Sequence, residues 1–343
     1  MTNTINFLLI AVCAAVMLAA CKKDTDGMPE LSAGTPTFGA ITPGEAAGGS
    51  TITLTGSGLG QMRSIVFETN NVPATFQPNL NTESSLIFRV PDTAFGGTQN
   101  IIFTNVDGKT LSVPFKVVAL ATVSEIYPLE FEPGTTVTLT GNNLSDVTKV
   151  VIDGTTDEAT IVSKSRKQLV ITMPATTVNR AKLRITNASG ERLIDREMTY
   201  IPNAMQIFVE SWGPGMHDWS WAGTHDIATG VAYHGTKSFR VIYSAGGWQG
   251  ASIHRDDPRI KMSDYTYLTF WAKGGTADMN LQVWSENGGS QKTVTIPANV
   301  WTYFKMPIQG HMQDVMLERL NLQAVGPNGG NQTIYYDNIL LVK

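Results

Sequence analysis

The chain has 343 residues, 42% of them hydrophobic and 16% charged, with a formal net charge of −4. That length holds two or three domains, and that apolar content excludes a disordered chain. The weak negative balance argues against a nucleic-acid partner, whose phosphates call for a basic surface.

The first predicted element is no part of the fold. Phe7 to Leu18 ("FLLIAVCAAVML") is an apolar run of signal-peptide length, too short to span a bilayer, which needs about 20 apolar residues. It ends in Leu18-Ala19-Ala20-Cys21, and a leucine, two small residues and a cysteine resemble a bacterial lipobox. The resemblance implies a signal peptide over residues 1–20, cleavage before Cys21 and lipidation of its thiol, with an ordinary secretory signal as the alternative. The start "MTNTIN" departs from the usual basic n-region, having no Lys or Arg. Cys13 lies inside the signal, so the mature chain is expected to carry one acylated cysteine and no disulfide. Residues 21–35 read as a polar tether. Its Lys22-Lys23-Asp24 resembles the charged export signals of Bacteroidetes surface lipoproteins, which places the protein on the outer membrane, lipid-anchored and facing the cell exterior.

An internal repeat follows. "ITPGEAAGGSTITLTGSGLGQMRSIVF" starts at Ile41 and "IYPLEFEPGTTVTLTGNNLSDVTKVVI" at Ile126. Pro43 aligns with Pro128, Gly49 with Gly134, Thr55-Gly56 with Thr140-Gly141 and Leu59 with Leu144, without a gap. Alternation puts Ile52, Leu54, Val137 and Leu139 on core faces, with threonines between them. Asp107-Gly108 and Ser189-Gly190 stand where hairpin turns belong. Short strands with regular turns over about 80 residues suggest an immunoglobulin-like sandwich. The pattern Pro…Gly-x-x-(Val/Ile)-Thr-Leu-Thr-Gly-x-x-Leu resembles the IPT/TIG family, giving one such domain over 36–119 and a second over 120–202. In bacterial surface proteins the resemblance implies a spacer. "GSGLG" at Gly56–Gly60 is a strand-to-strand turn rather than a nucleotide loop, because the second repeat has "GNNLS" there.

Beyond Ile201-Pro202 the composition shifts, and all seven tryptophans and all five histidines lie after it. Residues 203–343 read as strands: "MQIFVE", "SFRVIYS", "WQGASIHR", "YLTFWAK", "MNLQVWSE", "QKTVTIP", "WTYFKMPI", "LERLNLQAV" and "TIYYDNILLV". That number of strands in one segment fits a jelly-roll sandwich. The pieces "HDWSWAGT", "HGTKSFRVIYSAGGWQGASIHRDD", "YTYLTFWAKGG", "LNLQ" and "IYYDNILLV" resemble jelly-roll carbohydrate-binding modules and galactose-binding-like domains. The expected fold is therefore all-β, with two immunoglobulin-like IPT/TIG sandwiches in tandem followed by a jelly-roll sandwich.

Alternation also sorts the faces of this last domain. Ala251, Ile253, Leu281, Val283, Leu320, Leu322 and Ala324 point to the core. Trp248, Ser252, His254, Gln282, Trp284, Asn321 and Gln323 are left outside it. Sugars need such a face: their C–H surfaces stack on indole, and their hydroxyls need donors and acceptors together, which Asn and Gln amides supply. In the loop "WGPGMHDWSWAGTHD", Trp219 and Trp221 are expected on opposite sides, one plugging the sandwich end and one facing ligand. Trp271 and Trp301 are expected to pack, and Trp212 to serve as core or rim.

The histidines have no His-x-His or His-x-x-x-His spacing, so zinc is not expected. The jelly-roll resemblance implies a structural calcium near the entry and exit strands, and Glu210 and Asp337 match those positions. No Gly-x-Ser-x-Gly or His-Glu-x-x-His motif is present, so no catalysis is expected. The expected function is capture of a polysaccharide, a neutral one favoured, near partner hydrolases or a glycan importer. Two alternatives stand beside it: adhesion to a protein or cell-wall partner, and a polysaccharide lyase built on His254, Arg255 and Tyr243.

Overall fold

The structure, a computed structural model, describes residues 33–286, 288–326 and 330–343. The signal peptide, Cys21 and most of the tether lie outside the described residues. Among those residues the only helical pieces are four short 3-10 turns, and no helix is long and apolar enough to cross a membrane. The architecture is all-β, as the alternating patterns require. The chain divides into two compact units, Met1–Ala119 and Leu120–Lys343.

The first unit is one sandwich. Thr37–Thr42, Thr51–Ser57 and Ser85–Arg89 make one sheet in that order; Glu45–Ala46, Thr110–Val117, Gly97–Asn105, Met62–Phe67 and Val72–Pro73 make the other. Ile52 and Leu54 meet Ile101, Phe103 and Val113 in the core between them. The second repeat builds the same way: Thr160–Lys164, Gln168–Thr172, Thr136–Asn142 and Thr122–Tyr127 face a sheet of Glu130–Phe131, Gly190–Tyr200, Arg180–Asn187 and Lys149–Ile152. Val137 and Leu139 are fully buried there. The shared Thr-Gly has a steric cause. A Cβ on Gly56 would stand 2.0 Å from the Thr37 carbonyl oxygen, and one on Gly141 1.8 Å from that of Thr122. Only glycine lets the neighbouring strand cross so closely.

The third sandwich, also in the second unit, has two antiparallel sheets. The back sheet runs Thr224–Thr229, Lys237–Tyr243, Gln332–Val342, Tyr267–Lys273 and Trp301–Pro307, with Met205–Phe208 also paired to Gln332–Val342. The front sheet runs Met216–Asp218, Gly250–Arg255, Arg319–Ala324, Met279–Ser285 and Gly288–Ile296. Phe239, Val241, Phe270 and Tyr336 of the back meet Ile253, Leu281, Val283 and Leu322 of the front. Trp212 packs edge-on against Phe208 and Phe239, with ring centroids 5.0 and 4.8 Å away.

The outer face of the back sheet is covered by the second IPT/TIG-like sandwich. Leu268, Phe270 and Ala272 point inward, so Trp271 alternates outward and joins the core of the neighbouring sandwich. Its ring stacks on Tyr233 at 3.5 Å, and its Nε1–H donates to the buried Glu130 carboxylate at 2.9 Å. Trp301 and Tyr303 pack against the same cluster. The Tyr127 hydroxyl donates to the Tyr233 carbonyl at 2.6 Å. These two sandwiches therefore share apolar packing and buried hydrogen bonds.

Candidate functional site

The other face of the front sheet is not covered by either neighbouring sheet, and its side chains follow from register. Ser252 pairs with Asn321 and Asn321 with Trp284, so these three form one rung across three strands. Gly250, Gln323 and Gln282 form the next rung on one side, and His254 pairs with Arg319 on the other. Ala251, Ile253, Leu281, Val283, Leu320 and Leu322 point the opposite way, into the core.

The segment after Met216–Asp218 extends this sheet. Trp219 N–H donates to the Ser252 carbonyl (2.9 Å) and Trp221 N–H to the Gly250 carbonyl (3.0 Å). An extended chain puts residues i and i+2 on one face, so Trp219 and Trp221 both project over the front sheet. The expected split into plug and wall is thereby corrected: it ignored the period of two. Trp219 lies flat on His254, with centroids 3.6 Å apart and planes 6° apart, and the Arg319 guanidinium stands 5.1 Å from its ring centre. The Trp221 ring occupies the space above Gly250, where a Cβ would meet it at 2.4 Å. Its Nε1–H donates to the Trp248 carbonyl (2.8 Å), which also accepts from Gln323 Nε2 (3.1 Å). Trp219, Trp221 and Trp248 remain 49%, 39% and 61% exposed, leaving ring faces for a ligand.

Beneath the rings lies an unusual rung. Ser252 and Asn321 are wholly buried, yet Ser252 Oγ, both polar atoms of the Asn321 amide and Trp284 Nε1 have no hydrogen-bond partner among the described residues. An unmade buried hydrogen bond costs about 1–3 kcal/mol per group, and native folds leave few. Four such atoms from three adjacent strands favour a site kept ready for polar ligand groups. Ionisable groups stand around it. Arg319 pairs with Glu286 at 2.6 Å, and Asp256 faces His217 at 2.8 Å and His254 at 3.7 Å.

All nine residues expected to touch ligand thus lie on or beside this one sheet face, with divided roles. His254 is a floor beneath Trp219, and Gln323 spends a donor on holding the Trp248 loop. Arg319 and His217 were passed over in the sequence, although Arg319 alternates with Asn321 and Gln323 and could have been found by the same period.

The lyase alternative does not assemble. Tyr243 is fully buried, its hydroxyl engaged with the Leu322 carbonyl (2.9 Å) and Tyr336 Oη (2.7 Å). Arg255 is held by the Pro214 and Pro258 carbonyls, and the His254 face is covered by Trp219.

The residues expected to hold calcium take N–H donors instead. Glu210 accepts from Thr236 N–H and the Thr236 hydroxyl at 2.8 Å each, and from Lys237 N–H at 3.4 Å. Partial burial works against its charge, but those bonds outweigh it and hold its pKa below the usual carboxylate range. Asp337 accepts from the N–H groups of Tyr233 (2.8 Å), His234 (3.3 Å) and Asn338 (2.8 Å). Among the described residues no group of three or more His, Cys, Asp or Glu is disposed to hold a metal. A hard cation needs oxygens turned toward it, so these residues do not fit calcium. EDTA is expected to leave the thermal midpoint unchanged. Loss of a calcium bound at 100 times its Kd would lower it by about 5–10 °C, and differential scanning fluorimetry separates the two.

Fold and site define a chain of three β-sandwiches bearing an aromatic-walled polar sheet face at its C-terminal end. Residues 36–117 and 121–200 match the family model of the IPT/TIG domain, so the two N-terminal sandwiches are IPT/TIG domains. A search of curated proteins gave no match. Similar solved structures include the surface glycan-binding protein PbSGBP-B of Prevotella bryantii, 17% identical with a TM-score of 0.56, over 91% of this chain and 99% of that one. They also include SGBP-B from a complex xyloglucan utilization locus in Bacteroides uniformis, 18% identical with a TM-score of 0.44, over 90% and 99% of the two chains. A mutant of the carbohydrate-binding module CBM29-2 complexed with cellulohexaose is 16% identical with a TM-score of 0.31, over 40% of this chain and 89% of its own. The first of these shows a shared fold.

Proposed function

We propose that this is a cell-surface glycan-binding protein that captures a neutral polysaccharide on the front sheet of its C-terminal sandwich and does not turn it over. One observation carries the proposal: three part-exposed indoles, Trp219, Trp221 and Trp248, stand over and beside a rung of buried polar atoms without partners among the described residues. Indole faces suit the C–H surface of a pyranose; the Asn321 amide and Ser252 hydroxyl, closed from solvent beneath the rings, meet its hydroxyls when a ring moves aside. The paired charges of Arg319 with Glu286 favour a ligand without charge. The Prevotella bryantii neighbour is itself a surface glycan-binding protein.

In this reading acylated Cys21 anchors the chain in the outer membrane, and the IPT/TIG domains hold the binding face away from it. Tethering raises effective concentration, so modest affinity at one site suffices. A glycan importer or hydrolases nearby would use the captured chain.

Calorimetric titration with xylogluco-oligosaccharide and mixed-linkage gluco-oligosaccharide tests the proposal. Trp219→Ala and Trp221→Ala together are expected to weaken binding at least ~10-fold, the loss of one to two well-packed aromatic contacts. Binding unchanged in that variant would remove the site. No binding of any soluble polysaccharide by the wild type would favour adhesion to a protein or wall partner.

A further inference from the structure

The two indoles that wall the site sit on a short strap. Residues Trp219 to Gly223 link Met216–Asp218, the edge strand of the front sheet, to Thr224–Thr229, the edge strand of the back sheet. Glycine follows closely, and the backbone ladder to Gly250–Arg255 is incomplete: Ser252 N–H bonds to the Ser220 hydroxyl (3.0 Å) rather than to a strap carbonyl. Backbone bonds from the Trp219, Trp221 and Gly223 N–H groups hold the strap, and side chains complete its seating. Gln249 Oε1 accepts from Gly223 N–H (3.3 Å) and Ser244 N–H (2.6 Å) at its far end.

At its near end stands a pair the site does not use. Asp218 pairs in register with Ile253 and His225 with Val241, both core residues. Asp218 and His225 thus point inward from opposite sheets at the open side of the sandwich, and they meet there. Asp218 Oδ2 lies 2.7 Å from His225 Nδ1, while Oδ1 accepts from Ser220 N–H at 2.9 Å. One carboxylate thus joins the two sheet edges and fixes the first turn of the strap. One residue further on, alternation carries Trp219 to the outer face.

We propose that Asp218 and His225 form a latch that positions Trp219 and Trp221 for capture; this rests on those indoles being the ligand wall. Neither latch residue faces the ligand. With the latch closed, the strap keeps its register on Gly250–Arg255, Trp219 stays flat on His254, and Trp221 stays above Gly250. With it open, the sheet edges part and both rings lose their seats together. Binding then falls although every contact residue is present.

A double-mutant cycle separates positioning from general damage. Titration with the tighter of xylogluco-oligosaccharide and mixed-linkage gluco-oligosaccharide is expected to show Asp218→Ala binding ~5–20-fold more weakly. In a Trp219→Ala/Trp221→Ala background the same change is expected to cost less than about 2-fold, because there are no rings left to position. Asp218→Asn is expected to restore most of the affinity, its carbonyl accepting from Ser220 and its amide N–H donating to the other tautomer of His225. Equal loss in both backgrounds, or no loss in either, overturns the latch. If Trp219→Ala/Trp221→Ala leaves wild-type affinity intact, the ligand wall itself is wrong. Near-ultraviolet circular dichroism of the free protein decides the latch even where neither oligosaccharide binds. The change caused by Asp218→Ala should reproduce that caused by removing the two indoles, and an unchanged spectrum refutes the latch.

Discussion

The unit Leu120–Lys343 is expected to be more stable at pH 5 than at pH 8, and Glu130→Gln with Asp337→Asn should abolish most of that difference. Both carboxyls are wholly buried at the joint between the second IPT/TIG domain and the C-terminal sandwich. Burial raises Glu130 from 4.5 to about 7, against the opposing bonds from Trp271 and Asn338. Burial likewise raises Asp337 from 3.8 to about 7, against the N–H groups of Tyr233, His234 and Asn338. The folded values lie above the unfolded ones, so the fold prefers the protonated acids. Their stabilising contribution is complete below the unfolded values near pH 4, shrinks as pH rises, and is gone once pH passes through about 7. Each is worth on the order of 3 kcal/mol at most, and the two are not additive because each charge opposes the other. Asp195, Glu197 and Glu210 have lowered values and act in the opposite sense, losing their support as pH falls, and so does His311, whose burial favours the neutral ring. Subtracting the variant from the wild type removes them. All seven tryptophans follow Ile201, so urea unfolding followed by indole emission reports this unit. A wild-type minus variant difference that stays flat from pH 5 to pH 8 would refute the account.

Much of this was legible in the sequence because period two was intact there. Ile52-x-Leu54 and Val137-x-Leu139 announced core strands, and the shared Thr-Gly announced a repeat whose cause is the strand crossing at Gly56 and Gly141. Ser252, Asn321 and Trp284 fell on one face by alternation, and register made them a single rung. The stretch around Met216 was harder. Glycine and proline on either side disguise an edge strand as a loop, so its alternation, with Met216 and Asp218 inward and Trp219 and Trp221 outward, went unapplied. Trp271 packs as expected, but in the neighbouring sandwich's core. Alternation within Tyr267–Lys273 puts it outside its own sandwich, and nothing in a single domain's pattern tells that the neighbouring domain covers that face. Glu130 and Asp337 are 207 positions apart in the chain (337 − 130), and only tertiary structure brings them into electrostatic contact. Glu210 and Asp337 stood where a calcium site was expected, yet sequence gives no means of knowing that backbone N–H groups turn toward them.

Asn321→Leu is expected to make the protein more stable and a poorer binder at once. The amide is wholly buried, and neither Oδ1 nor Nδ2 has a partner among the described residues. Leaving buried polar atoms unpaired costs about 1–3 kcal/mol each, a cost that a leucine of similar volume does not carry. A net gain of about 1 kcal/mol would raise the midpoint by about 2–4 °C for a unit of this size. The same change removes the only amide on the central rung, which offers a donor and an acceptor on separate atoms to sugar hydroxyls and leaves the Ser252 hydroxyl alone in that role. It also leaves a sugar hydroxyl facing a methyl group when the ring settles against Trp219 and Trp221. A loss of ~10–100-fold in affinity follows from one unpaired polar contact in a desolvated site. Thermal melting and oligosaccharide titration on the same sample read both signs. Unpaired atoms kept where ligand will meet them give up stability for function. Were Asn321 instead a core residue of no functional consequence, the leucine variant would bind as well as the wild type, whatever its midpoint.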